Sequence, residues 1–238
     1  MPGMHADAAA HPMTTLDDPA HTEATLREEI CRVGRSLYER GYVHATAGNI
    51  SVRLPDGFLI TPTDACLGRL EPSRLARLDA QGVQTAGDRA SKTLALHRRI
   101  YDADPQARCV IHTHSTHLVA LTLQGVWHAD DIVPPITPYF VMKVGHVPLI
   151  PYHRPGDPAA ADLVAQRIAD ARARGAPIRA VMLDRLGPNV WHRSPSEASA
   201  VLEELEETAR LWLLSQGRAT PLTEEQIDAL RQTFGASW

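Results

Sequence analysis

Apolar residues recur at helical spacing in several segments of the chain, and these segments begin at residues that can cap a helix. In the first segment, apolar side chains follow one another at intervals of four, three and four positions, as on one face of an amphipathic helix. Those side chains belong to Leu26, Ile30, Val33 and Leu37. Ser, Thr and Asp cap a helix by accepting hydrogen bonds from its first turn. Helices are therefore predicted to begin at Thr25, Ser91, Ser115, Asp157, Ser194 and Thr223.

Short runs of β-branched and aliphatic residues separate the predicted helices. Strands are predicted at residues 50–53, 58–60, 109–112 and 180–183. The turn Pro55-Asp56-Gly57 joins the first two runs, so they are expected to form a hairpin. Residues 133–155 are rich in proline and β-formers, and we expect extended segments and turns there but no helix.

Strands and helices alternate along the chain without an internal repeat or an interdomain linker. Such alternation is typical of an α/β fold, in which helices cover a sheet. We therefore expect one domain over residues 23–238. Residues 1–22 show no hydrophobic periodicity, and we expect them to form a flexible tail.

Charge and composition exclude several classes of function. The chain has 24 Lys and Arg against 28 Asp and Glu, a formal net charge of -4, whereas binding to nucleic acid requires a basic surface. No apolar run approaches the length of a membrane span, and residues 1–21 lack the apolar core of a signal peptide. The cysteines show neither disulfide nor metal-binding spacing. We expect a cytoplasmic protein that binds neither nucleic acid nor membranes.

The chain contains 12 histidines, and two of them lie at the end of a predicted strand. Residues i and i+2 of a strand project from the same face, so His112 and His114 are expected to lie side by side. Such a pair can chelate zinc or a similar divalent ion. The alternative is that both are ordinary, partly buried histidines bonded to backbone groups. Their position at the carboxyl end of a strand favours a functional role.

A second group of residues has the chemistry of a phosphate site. Residues 46–49 lead into the predicted hairpin, residues 61–63 follow it, and Ser91-Lys92 opens a helix. Hydroxyls, an amide, a lysine and the N–H groups of a helix N-terminus are suitable partners for phosphate oxygens. Taken singly, each of these segments is ordinary turn or capping sequence.

These motifs follow one another in the order found in the class II aldolase/adducin family, which the chain resembles. The order is Thr46-Ala47-Gly48-Asn49-Ile50-Ser51, then Ile60-Thr61-Pro62-Thr63, then Ser91-Lys92 before a helix, then His112-x-His114. The resemblance covers most of residues 24–234. The chain is most similar to the branch of the family that decarboxylates 3-oxo-tetronate 4-phosphates, through segments that include residues 66–68, 135–139, 147–152, 154–157 and 203–209.

The resemblance implies a three-layer α/β/α fold with a central, mostly antiparallel sheet. It also implies a homotetramer with sites between subunits and a divalent metal ion, usually zinc with manganese as the alternative, held by three histidines. His112 and His114 match the first two metal ligands, and Tyr139 matches a proton donor of the aldolases. The residues that match the phosphate-binding loops are Asn49, Thr63, Ser91 and Lys92.

Two positions depart from the family pattern. Thr93 stands where the family has its catalytic glutamate, and Leu186 stands where it has the third metal histidine. An apolar leucine cannot bind a metal ion. Candidates for the missing ligand are His146, His153, His192, Asp184 and water. We favour His153, because it lies between two segments that match the family.

The resemblance implies a carbon–carbon lyase. The expected reaction is metal-dependent decarboxylation of a 3-oxo-tetronate 4-phosphate, a small phosphorylated sugar acid, to dihydroxyacetone phosphate and CO2. Decarboxylation leaves an enolate, which Tyr139, Lys92 or water would protonate. Loss of CO2 needs no base to remove a hydroxyl proton, so Thr93 is less damaging here than in an aldolase. The alternatives are a class II sugar-phosphate aldolase and, because of Thr93 and Leu186, a non-catalytic binding module like the adducins.

Overall fold

The computed structural model describes residues 22–238, so the tail expected over residues 1–22 lies outside the described part except for its last residue. One sheet contains the strands β1 (Asn49–Leu54), β2 (Gly57–Ile60), β3 (Ala76–Asp79), β4 (Gln84–Ala86), β5 (Cys109–His112), β6 (Leu149–Ile150), β7 (Ala180–Leu183) and β8 (Gly187–His192). Their order across the sheet is β4-β3-β2-β1-β5-β8-β7-β6. All neighbouring pairs are antiparallel except β6 and β7, which are parallel. The expected α/β fold with a mostly antiparallel sheet is confirmed.

Helices cover both faces of this sheet. The α-helices are α1 (Glu23–Glu39), α2 (Leu94–Ala103), α3 (Thr116–Gln124), α4 (Pro158–Ala173), α5 (Pro195–Leu214) and α6 (Glu224–Phe234). On one face, α1, α3 and α5 pack over a core that includes Ile111 and Val190. On the other face, α2 and α4 pack over Val110 and Trp191. Within residues 22–238, no helix combines the length and the apolar character that crossing a membrane requires.

The strands with apolar runs match the sequence pattern, and the others do not. β1 and β2 form the predicted hairpin, and β5 and β7 are the predicted strands at residues 109–112 and 180–183. β3 alternates buried and half-buried positions over a short span, and β4 is exposed throughout, so neither produces an apolar run. β8 begins with Gly187-Pro188, which is typical of a turn in sequence. For that reason the pattern does not predict β8.

Capping side chains begin most of the helices. Asp157, Ser194 and Thr223 accept hydrogen bonds from the first turns of α4, α5 and α6, as predicted. The first helix begins earlier than predicted, because Thr22 rather than Thr25 occupies the N-cap and accepts from the backbone N–H of Thr25. Both threonines fit the local capping pattern.

The predicted start of the second helix is also corrected. The N-cap of α2 is Thr93, and its side chain makes no capping hydrogen bond. Ser91 lies two residues earlier, and from the backbone of the first turn its hydroxyl accepts a long hydrogen bond, of 3.4 Å, from the N–H of Thr93. Ser91 and Lys92 therefore precede the helix instead of belonging to its first turn, and both line a cavity.

A distant residue, rather than Ser115, caps the third helix. Ser115 occupies the N-cap of α3 without a capping side-chain bond. The buried carboxylate of Glu206 in α5 accepts hydrogen bonds from the backbone N–H groups of His117 and Leu118, at 2.9 and 3.0 Å. The first turn of α3 is therefore stabilised from a different part of the chain.

The segment expected to contain no helix includes a short π-helical turn at Phe140–Val144. Pro138 precedes this turn and Pro148 follows it, and the turn itself contains no proline. Phe140, Val141 and Val144 are buried. Burial of these apolar side chains outweighs the proline-rich character of the surrounding sequence.

Candidate active site

A cavity of about 560 Å³ opens at one end of the sheet. It lies where β5 ends and where β1 and β8 begin, next to the first turns of α2 and α4. Its volume suits a small ligand. The predicted site residues that line this cavity are Asn49, Thr63, Ser91, Lys92, His112, His114 and His153. One chain therefore brings the predicted metal pair and the predicted phosphate residues together.

Three neighbouring strands contribute a row of polar side chains to this cavity. His112 in β5 pairs with Asn49 in β1 on one side and with Asn189 in β8 on the other. Directly paired residues of antiparallel strands project from the same face. All three side chains are buried. Among the described residues, Asn49 Oδ1 and both polar side-chain atoms of Asn189 have no hydrogen-bond partner.

A backbone contact fixes the ring of His112. Its Nδ1 lies 2.8 Å from the carbonyl oxygen of Pro188, which can only accept, so Nδ1–H donates and Nε2 keeps a free lone pair. Burial, together with the neighbouring His114, lowers the pKa of His112 to about 4. The ring is therefore neutral near pH 7. Metal-binding histidines are commonly held in this way, with the second ring nitrogen bonded to a backbone carbonyl.

His114 lies beside His112, as the strand periodicity predicts. The two ring centroids are 5.1 Å apart, with an interplanar angle of 69°. Burial, together with the nearby His44, lowers the pKa of His114. Two neutral imidazoles at this separation fit two ligand positions of a divalent metal ion.

Among the described residues, no third metal ligand is grouped with this pair. Within residues 22–238, no three His, Cys, Asp or Glu side chains are grouped as metal ligands. Leu186 lines the cavity and packs on the core beneath α4. His153 also lines the cavity, with its Nδ1 atom 3.8 Å from the carboxylate of Asp157. The donor set fits a metal ion through His112 and His114, and a role for His153 as the third ligand stays a prediction.

The other candidates for the third ligand differ in position. His146 and His192 lie outside the cavity, each 2.8 Å from a carboxylate, that of Asp131 or Glu197 respectively. Asp184 lines the cavity. Of these three, only Asp184 shares the cavity with the histidine pair.

A glycine allows the loop before β1 to approach β5. Gly48 has φ of +84°, a conformation that side chains rarely adopt, and a Cβ atom there would lie 2.8 Å from the carbonyl oxygen of His112. Only glycine therefore fits this close approach without movement of the backbone. The approach places Asn49 directly beside His112.

Backbone contacts join the end of the hairpin to the start of α2. Pro62 and Ala90 form an isolated bridge, and the N–H of Ser91 donates to the carbonyl of Thr61 at 3.4 Å. These contacts bring Thr63 and Ser91 to the same wall of the cavity. The positive end of the α2 dipole and the nearby lysine make this wall suitable for an anion.

Thr93 lines the same wall, at the position where the resemblance places a glutamate. Its hydroxyl lies 2.9 Å from Ser91 Oγ. The side chain is short and does not ionise, so it adds a hydroxyl to the phosphate wall and supplies no carboxylate. Lys92, between these two residues, is exposed at the cavity.

Tyr139 lies outside the cavity. It immediately precedes the π-helical turn and is 59% exposed. A single chain therefore does not bring Tyr139 to the histidine pair. Its expected role at a site between subunits stays a prediction.

Sequence reasoning missed Asn189 and a buried network beneath the cavity. In that network, His97 Nδ1 and the Tyr101 hydroxyl each lie 2.7 Å from Ser51 Oγ. Burial, together with the neighbouring His112, lowers the pKa of His97 to about 3. The spacing of four positions between His97 and Tyr101 could have indicated that both side chains lie on one face of a helix and can share a polar partner. Asn189 had no such signal, since its strand was not predicted.

Known proteins resemble this chain over most of its length. The family model for the class II aldolase and adducin N-terminal domain matches residues 28–213. A 3-oxo-tetronate 4-phosphate decarboxylase of Cupriavidus necator is 56% identical over 222 residues, covering 91% of this chain and 99% of that protein. The protein of the same name from Escherichia coli K12 is 42% identical over 219 residues, covering 91% and 100%.

A solved structure has the same fold. The crystal structure of YgbL from Escherichia coli matches with a TM-score of 0.79 at 42% identity, covering 88% of this chain and 99% of that one. Proteins of the class II aldolase family generally depend on a divalent metal ion, which agrees with the donor atoms of His112 and His114. The chain belongs to the class II aldolase/adducin family.

Proposed function

We propose that the protein is a decarboxylase that converts a 3-oxo-tetronate 4-phosphate to dihydroxyacetone phosphate and CO2. The observation that carries this proposal is that one cavity joins the pair His112 and His114 to Ser91 and Lys92 at the start of α2. A metal-binding pair next to an anion site suits a short phosphorylated sugar acid. The relatives at 56% and 42% identity, both named as decarboxylases of such an acid, support the same substrate.

In this proposal the phosphate binds between the hairpin and α2. The hydroxyls of Thr63 and Ser91 and the amide of Asn49 donate hydrogen bonds, and Lys92 supplies a positive charge. The N-terminal end of α2 adds a favourable dipole. With the phosphate anchored there, the remaining carbon chain extends over His112.

His112 and His114 are the proposed ligands of a divalent cation, zinc or manganese. When bound, the cation supplies a Lewis acid that polarises the ketone of the substrate. Burial keeps both imidazoles neutral, and the carbonyl of Pro188 orients His112. His153 stays the proposed third ligand. Because Leu186 replaces a histidine, we expect weaker metal binding than at a site with three histidines.

Decarboxylation is compatible with threonine at position 93 and with lysine at position 92, both of which line the cavity. Breaking the bond between the carboxyl carbon and C2 leaves an enolate, and C2 must then collect one proton. No hydroxyl proton is removed, so the absence of a carboxylate at Thr93 is compatible with turnover. Lys92, which lines the cavity, is the proposed proton donor from the same chain. Tyr139 is the donor that we propose a neighbouring subunit supplies in a homotetramer.

The cytoplasm is the proposed location. The cysteines among the described residues, Cys31, Cys66 and Cys109, are all free thiols, as is usual in a reducing compartment.

Product analysis tests this function. Substrate labelled with carbon-13 in the carboxyl group is expected to yield labelled CO2 and an equal amount of dihydroxyacetone phosphate. The double variant His112→Ala/His114→Ala is expected to yield neither product. The control His128→Ala, at an exposed position outside the cavity, is expected to yield both. Absence of labelled CO2 from the wild-type protein supplied with zinc or manganese would contradict the proposal.

A non-catalytic binding module is the second candidate, and one observation favours it. Thr93 and Leu186 both line the cavity at positions where the family has catalytic groups. Binding of dihydroxyacetone phosphate without any CO2 release would support this candidate. Release of an aldehyde from a sugar phosphate that lacks a carboxylate would instead indicate an aldolase.

A further inference from the structure

Asn189 is a buried amide that lacks partners at the cavity. It is 0% exposed and lines the cavity, and neither Oδ1 nor Nδ2 has a hydrogen-bond partner among the described residues. Folded proteins retain few such groups, because a buried polar atom without a partner is destabilising. The side chain is therefore suited to a ligand that supplies the missing hydrogen bonds.

Asn49, His112 and Asn189 form a row across three neighbouring strands, and the place of Asn189 in this row indicates which part of a bound substrate it contacts. Neighbouring strands are about 4.8 Å apart, so Asn49 and Asn189 lie about 10 Å from each other, one on each side of His112. The phosphate residues belong to the Asn49 side, with the hairpin and α2. A four-carbon acid anchored by its phosphate on that side directs its oxo-acid end over His112 toward Asn189.

We propose that Asn189 is a substrate-binding residue, whose Nδ2–H donates a hydrogen bond to the ketone oxygen of the oxo acid. This inference rests on the proposed decarboxylation. It assigns to β8 a direct contact with the reacting group, in addition to the phosphate contacts proposed for Asn49 in β1, for Thr63 after β2, and for Ser91 and Lys92 before α2.

The ketone oxygen is the atom whose charge changes most in this reaction. When CO2 leaves, the electron pair of the bond between C1 and C2 forms the C2–C3 double bond, and the π electrons of the ketone move onto its oxygen. The enolate is protonated at C2 afterwards, and Asn189 transfers no proton. A donor already fixed in a water-poor site stabilises the growing charge without reorganisation.

The carboxylate is a less suitable partner for the same amide. A hydrogen bond to the carboxylate would stabilise the substrate more than the transition state, since the carboxylate loses its charge as CO2 forms. Such binding slows the reaction. The ketone oxygen gains charge, so the same hydrogen bond there accelerates the reaction.

The variants Asn189→Leu and Asn189→Asp test the contact. Both are expected to lower kcat about 10²-fold to 10³-fold, because neither leucine nor an ionised aspartate can donate a hydrogen bond to the ketone oxygen. Their affinity for dihydroxyacetone phosphate, which contains the ketone, is expected to fall about fivefold to tenfold. Affinity for inorganic phosphate is expected to stay unchanged. Ser91→Ala is the matched control, and it weakens binding of both ligands.

The melting temperature separates substrate binding from a structural role. Asn189→Leu removes a buried amide without partners, so its melting temperature is expected to equal or exceed that of the wild type. A wild-type kcat in Asn189→Leu would overturn the proposal. A lower melting temperature, with equal losses of affinity for inorganic phosphate and dihydroxyacetone phosphate, would also overturn it.

A different result would separate this proposal from the proposed function. Suppose that the wild-type protein binds dihydroxyacetone phosphate through Asn189 but releases no CO2 from the oxo acid. That result would support the contact with the ketone and would contradict decarboxylation.

Discussion

Among the described residues, an imidazole nitrogen of His112 and the side-chain amide of Asn189 are available to a ligand at the cavity. The carbonyl of Pro188 engages Nδ1–H of His112 and so leaves Nε2 free. The next residue, Asn189, brings an unpartnered amide to the same row. Pro188 and Asn189 both lie in the first half of β8, so this strand contributes to the site as directly as the strand that carries His112.

Leu186→His tests whether the missing imidazole limits metal binding. The side chain of Leu186 lines the cavity together with His112 and His114, so a histidine there adds a third nitrogen donor. We expect the affinity for zinc to rise about tenfold or more, which corresponds to about 1.4 kcal/mol. Competition with a chelating indicator measures this affinity. Leu186→Met preserves the volume and serves as the control, and equal zinc affinity in Leu186→His and wild type would contradict the prediction.

Substitutions of Lys92 separate phosphate binding from proton donation. Arginine keeps the positive charge but does not release a proton near neutral pH, so Lys92→Arg is expected to keep KM within about threefold and to lower kcat. Lys92→Met is expected to raise KM about tenfold as well, because a charge-assisted hydrogen bond is lost. Steady-state kinetics on the oxo acid measure both constants. A wild-type kcat in Lys92→Arg would assign this residue to phosphate binding alone.

At the level of elements, a contact between two helices supports the loop that carries His114. The carboxylate of Glu206 in α5 accepts from the backbone N–H groups of His117 and Leu118, and it lies 2.8 Å from His117 Nδ1. This carboxylate therefore holds the first turn of α3, which follows His114 directly. Loss of the contact is therefore expected to loosen the α3 end of the segment that carries His114.

Glu206→Ala is expected to lower the free energy of unfolding by about 2 kcal/mol, because two N–H groups lose a buried acceptor. Urea unfolding measures this change. Glu207→Ala is the matched control, since Glu207 is exposed and its contact with Arg210 is 3.4 Å long. We expect the control to change stability by less than about 0.5 kcal/mol. Equal stability losses in the two variants would contradict the capping role.

Elements with local signals were predictable from sequence, and elements that depend on distant contacts were not. Asp157 and Ser194 cap their helices as predicted, because the capping atoms lie within the same few residues. Glu206 lies 88 positions from Leu118, so no local pattern reveals that it caps α3. The π-helical turn likewise depends on burial of Phe140 rather than on the surrounding prolines.

For the whole molecule, the order of motifs predicted which loops converge on the cavity. Asn49, Ser91 and His112 are far apart in sequence, and antiparallel pairing together with the contact between the hairpin and α2 brings them to one cavity. The pairing of His112 with Asn189 could not be predicted, because register between distant strands is set by the sheet as a whole. Tyr139 lies outside the cavity of its own chain, so its proposed role requires the proposed assembly of subunits.

Mixing of variants tests the assembly that we propose. Tyr139 is exposed and outside the cavity of its own chain, so a role in catalysis requires a second subunit. We expect Tyr139→Phe to lower kcat about tenfold or more. Co-expression of Tyr139→Phe and His112→Ala chains is expected to give more activity than the two variants separately, because mixed assemblies contain some intact sites. Activity no higher than their sum would contradict a site between subunits.

Metal content measured in parallel with turnover tests whether His112 and His114 support decarboxylation. Elemental analysis of the purified wild-type protein and of His112→Ala/His114→Ala is compared with CO2 release from 3-oxo-tetronate 4-phosphate. We predict about one zinc or manganese ion per wild-type chain, and loss of both metal and CO2 release in the variant. If the wild-type protein neither binds these ions nor releases CO2 when they are added, the proposed role of the two histidines is wrong.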